Sequence, residues 1–118
     1  MTLREIAPII NLDLERTFAL FMGKEDTYVK FLKRFPSNVE NLMINLAEAV
    51  KNNNYQEVEA AAHGIKGVAS NLGILKVSDI SSALMLDVRE SKFEDIEEHY
   101  EKLVEVTKQA IEYIEKLD

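Results

Sequence analysis

Only two histidines occur in the 118-residue chain, and one of them, His63, stands in a window that also holds three of the four glycines, Gly64, Gly67 and Gly73. Gly64 and Gly67 fall inside an otherwise good helix pattern, where each costs about 1 kcal/mol relative to alanine. On a helical wheel of about 100° per residue, Val58, Ala61, Ile65, Val68 and Leu72 occupy an arc of roughly 80°. His63, Lys66, Gly67 and Ser70 occupy a second arc, centred about 170° from the first. His63 therefore points away from the apolar stripe, which argues against a core histidine. An idle surface histidine would explain neither glycine. A solvent-reachable imidazole is a nitrogen nucleophile that can hold a phosphoryl group. Lys66, one turn on at i+3, can neutralise phosphoryl oxygens as a point charge. A glycine beside the ring removes a side chain and lets another protein approach. Glu59 at i−4 is the only carboxylate on this face, so acid/base hydrolysis is poorly supported. One histidine without a neighbouring His or Cys is also a weak metal site.

The apolar spacing that must position this face is helical throughout. Leu14, Phe18, Phe21 and Met22 define a short first helix, with Asn11 or Asp13 as its N-cap and Gly23 as its end. A longer stretch covers residues 25–50, and Pro36 predicts a kink or break in it. Tyr28, Phe31 and Phe35 in that stretch read as core, and Lys30, Lys33 and Arg34 as a small basic patch. Asn54 caps a helix from Tyr55 to about Leu72, closed by Gly73. A fourth helix is expected over residues 77–90 with Ser78 as cap. The last starts near Phe93 and carries Ile96, Tyr100, Leu103, Thr107, Ala110, Ile114 and Leu117 as its stripe. His99 in that acidic helix reads as a surface residue. Four substantial helices with short turns, plus a short extra N-terminal helix, predict an all-α fold: an antiparallel up-down-up-down four-helix bundle, one domain over residues 1–118.

Composition narrows the function classes. There is no cysteine, so disulfides, thiolate metal sites and cysteine nucleophiles are excluded together. The formal charge is −7, a poor match to a phosphate-backbone binder, so no nucleic acid partner is expected. Residues 1–54 are neutral overall, and residues 87–118 carry −6, which reads as a solvated helix face. No apolar run approaches the roughly 20 residues of a membrane span. The first residues lack the basic and long apolar regions of a signal peptide. No membrane partner and a cytoplasmic, monomeric protein are expected.

The stretch Ala62-His63-Gly64-Ile65-Lys66-Gly67-Val68-Ala69-Ser70-Asn71-Leu72-Gly73 resembles the signature A-H-x-[LI]-K-G-x-[AS]-x-x-[LIF]-G of histidine-containing phosphotransfer (HPt) domains, and every fixed position matches. The stretches 17–23 and 28–35 resemble the aromatic-spaced first helices of that family, so the resemblance runs from about Leu12 to Leu117. It implies a four-helix bundle that carries a phosphoryl group between aspartates of response-regulator receiver domains in a multistep phosphorelay. Carried over by position, His63 is the phosphoacceptor, Lys66 the stabilising cation, Gly67 the clearance residue and Gly73 the turn that ends the helix. Gly64, Gly67 and Ser70 are the expected docking positions. The resemblance also implies a phosphocarrier without kinase activity of its own and without a cofactor. Mg²⁺ is expected on the partner receiver, and a sensor histidine kinase, hybrid or otherwise, is a further partner.

One position departs from the family pattern. Many relatives carry a glutamate 22 residues after the histidine, where it orients the ring; here that residue is Met85. Ser81 and Ser82 are the nearby polar substitutes, and Asp87 falls on another part of the wheel. The competing function class is a helical adaptor that binds receivers, or another signalling partner, without carrying phosphate. The joint presence of His63 and Lys66 favours the carrier, since an adaptor needs neither.

Overall fold

The computed structural model describes residues 1–118. It is all-helical: α1 (Leu3–Ile10), α2 (Leu14–Leu20), α3 (Glu25–Leu32), α4 (Phe35–Lys51), α5 (Tyr55–Asn71), α6 (Leu75–Arg89) and α7 (Ile96–Ile114), with a 3-10 turn at Phe93–Asp95 leading into α7. The long helices α4 to α7 form a helical bundle. In it α5 packs on α4 and α6, while α7 packs on α6, α4 and α1. Tyr28, Leu32, Phe35, Val39, Leu46, Ile65, Leu84, Leu103 and Ile114 are among the buried side chains of one continuous core. No helix is long and apolar enough to cross a membrane.

Local chemistry explains most boundaries. Asp13 caps α2 by accepting from the Arg16 N–H, and Asn54 caps α5 by accepting from the Glu57 N–H. The predicted break near Pro36 is real but lies earlier, at residues 33–34. The proline sits in the first turn of α4, where its missing N–H has no helical partner to lose. The fourth helix starts at Leu75, two residues before the expected start. Ser78 is not its cap: it is inside the helix, and its hydroxyl donates to the Leu75 carbonyl. The first helix of the chain is α1, an element absent from the sequence-based expectation. Thr2 and Glu5 form a capping box, and Leu3, Ile6, Ala7 and Ile10 are buried. Asn11 ends α1 in a left-handed conformation rather than starting α2. Of the three aromatics read as core, Tyr28 and Phe35 are fully buried, but Phe31 is 41% exposed with Arg34 over its ring.

Candidate functional site

Helix α5 is fixed at both ends and packed on one side, which is what leaves its other side free for chemistry. At its C-terminal end the buried Tyr28 hydroxyl donates to the Leu72 carbonyl at 2.7 Å. Burial pushes that phenol up to about 12 from its ordinary value. Arg16 donates to the Ser70 carbonyl at 2.6 Å, a cation at a helix C-terminus. Gly73 turns the chain with φ +70°, and a Cβ there would lie 2.5 Å from Thr17 Cγ2 and 3.1 Å from the Asp13 carbonyl oxygen. The turn therefore requires glycine both for its backbone angle and for room.

The buried residues of α5 are Val58, Ala61, Ala62, Ile65 and Ala69. His63 and Gly67 are exposed, and Lys66 and Ser70 half-buried. The structure thus brings the expected site residues together on one helix, as the wheel predicts. Lys66 has no carboxylate within 4.0 Å, so its charge is available. The glycines separate into two kinds. Around Gly67 a Cβ would meet nothing within 4 Å, so open space adjoins His63 there. At Gly64 a Cβ would come within 2.8 Å of Leu42 Cδ2 on α4. What Gly64 makes room for is the neighbouring helix α4.

Two side-chain pairs were not legible in the sequence. Glu59, one turn before His63 on the same face, is bound by Arg89 Nε from the end of α6. The only carboxylate near the imidazole on α5 is thereby neutralised, and Arg89 brings a second cation to the edge of the face. The other pair involves His99. Its Nδ1 lies 2.6 Å from Oδ2 of Asp87, a buried carboxylate only 4% exposed. His99 is thus a half-buried link between α6 and α7 rather than a plain surface residue. The partner of Asp87 is His99 on α7. Near the position of the missing glutamate, Met85 is buried, Ser81 donates to the Val77 carbonyl and Ser82 to the Ser78 carbonyl. Neither hydroxyl is turned to the imidazole; both satisfy their own helix.

A solvent-exposed imidazole with a free lysine at i+3 and a cleared surface at i+4 is suited to carrying a phosphoryl group and meeting a second protein. The family model described as "Hpt domain" matches residues 30–116. The chain belongs to the Hpt domain family. Searches of curated proteins and of solved structures return no match. The matched Hpt region contains His63 and begins inside α3, so α1 and α2 lie outside it, and the resemblance proposed for residues 17–23 has no support from it. Hpt domains carry out histidine phosphotransfer in phosphorelays, interacting with receiver domains and kinases, and are phosphocarriers rather than kinases.

Proposed function

We propose that this Hpt domain is a cytoplasmic phosphorelay carrier that accepts a phosphoryl group on His63 from a receiver-domain aspartyl phosphate and passes it to another receiver aspartate. The observation that carries this reading is the exposed His63 beside the unpaired Lys66 and the open surface at Gly67. In the accepting step a ring nitrogen of neutral His63 attacks phosphorus with its lone pair. The P–N bond forms as the P–O bond to the aspartate breaks, and the departing carboxylate keeps that electron pair. The proton on the other ring nitrogen stays on the imidazole or passes to water. Lys66 balances charge on the phosphoryl oxygens, while Mg²⁺ and the remaining machinery belong to the receiver. Ser70, half-buried two turns from His63, is a docking position in this reading. The α4–α7 helices are taken as up-down-up-down, which their short connecting turns and neighbour contacts support.

The test is incubation with a phosphorylated receiver domain. Transfer of label to the chain, acid-labile and base-stable, supports the carrier. A stable complex without label transfer supports the adaptor reading instead.

A further inference from the structure

Six large apolar side chains are exposed, Leu20, Met22, Phe31, Ile44, Leu86 and Phe93. Leu86 alone among them belongs to α6, the helix that packs most extensively against α5. The turn between α5 and α6 is short, spanning residues 72–74, and the Glu59–Arg89 pair joins the far ends of the two helices. The two therefore run in opposite directions, with residues 59 and 89 at the same level. One turn along α5 from Glu59 is His63, and one turn back along α6 from Arg89 is Leu86. His63 and Leu86 are thus level on adjacent helices. Leu86 is 51% exposed, and on the α6 wheel it lies about 60° outward from Arg89, away from the core.

From this juxtaposition we infer that Leu86 is a specificity-determining contact of the phosphotransfer surface, burying its exposed half against an apolar side chain beside the acidic pocket of the receiver. This inference rests on the carrier reading. Continuity with the His63 face selects the occupant. Lys66 and Arg89 flank the same strip, so the apolar residue is bordered by cations, complementary to a partner with an acidic site and an apolar rim. Lys66 and Arg89 supply attraction that many acidic proteins would feel. The shape and apolarity at Leu86 discriminate among them.

The experiment compares the parent chain with Leu86→Ala, which keeps helix propensity high, and with Ile44→Ala, an equally exposed residue on α4. Each is labelled two ways: by the small donor phosphoramidate, and by a receiver domain charged with acetyl phosphate and chosen for transfer to the parent. Leu86→Ala is expected to lower kcat/KM with the receiver about tenfold, mainly through KM. Its labelling by phosphoramidate should be unchanged, Leu86→Met should recover most of the loss, and Ile44→Ala should match the parent. Parent-like kcat/KM in Leu86→Ala, or an equal loss in Ile44→Ala, overturns the assignment of Leu86 alone. If neither phosphoramidate nor any receiver domain in the panel from which the donor is chosen labels the parent chain, the carrier reading is overturned, and this inference with it.

Discussion

Gly67→Ala should make the free domain more stable and the carrier worse, and the two effects can be sized separately. Glycine inside a helix costs about 1 kcal/mol relative to alanine. An ideal Cβ at Gly67 meets no atom within 4 Å, so nothing in the bundle opposes that gain. For a chain of this size, about 1 kcal/mol raises the thermal midpoint by roughly 4 °C. Gly64→Ala serves as the internal comparison: its Cβ would approach Leu42 Cδ2 to 2.8 Å, so the same propensity gain is offset by displacement of Leu42. The midpoint should rise less than for Gly67→Ala, or fall. Transfer runs the other way. In-line displacement tolerates little misplacement, and holding the receiver off by about 1 Å costs about 100-fold. Gly67→Ala should therefore slow transfer from a phosphorylated receiver by about 10- to 100-fold, and Gly67→Gln by more. The assay is a pair, the thermal midpoint and the single-turnover transfer rate. Normal transfer by Gly67→Gln would show that the glycine does not serve access. Loss of stability in Gly67→Ala would show that the position is packed after all.

Three further outcomes are expected. His63→Gln should abolish acid-labile labelling while changing stability by less than about 0.5 kcal/mol, because the exposed ring packs on nothing in the core; label persisting in this variant refutes the assignment. Lys66→Ala should slow phosphoryl acceptance about tenfold without unfolding the domain, and equal rates at low salt would remove the role given to its charge. Tyr28→Phe should cost about 1 kcal/mol at pH 7 through the lost bond to the Leu72 carbonyl. The folded phenol ionises near 12 and the unfolded one near its ordinary value of 10. Stability from the parent hydroxyl is thus whole below pH 10 and lost as pH rises toward 12. Near pH 11 the deficit of the Phe variant in thermal midpoint should have vanished, and an undiminished deficit there contradicts the argument.

What the sequence makes legible is what periodicity encodes. The α5 boundaries, the Asn54 cap and the separation of His63 from the apolar stripe all follow from residues close in sequence. Helix α1 is hidden because Pro8 interrupts a short pattern, although Thr2, Glu5 and the spacing of Leu3, Ile6 and Ile10 carry a start signal. What holds α1 is its packing against α7, a contact between the two ends of the chain. The same limit applies to side-chain partners. A wheel shows that Gly64 adjoins His63, but only the neighbouring helix shows that Gly64 faces Leu42. Nor can a wheel pair Glu59 with Arg89, or Asp87 with His99, since each pair crosses between helices.

The charge distribution makes the phosphoryl-carrying role compatible with a strongly acidic chain. Phosphorylation adds about −1.5 to −2 charges near pH 7. The formal charge is already −7, and the excess acid lies in residues 87–118. Of those eleven acids five are on α7, and four more, Glu94, Asp95, Glu115 and Asp118, directly flank it; α7 packs on α6, α4 and α1, while α5 has its main contacts with α4 and α6. A helix with side chains is about 10 Å across, and exposed charges beyond about 8 Å are largely screened at physiological salt. His63 is therefore governed by its immediate surroundings. There Lys66 is unpaired and Glu59 is held by Arg89, so the local field is cationic although the chain as a whole is not. An acidic receiver can approach this α5–α6 face while the α7 side of the bundle repels it, which orients the encounter before any apolar contact forms.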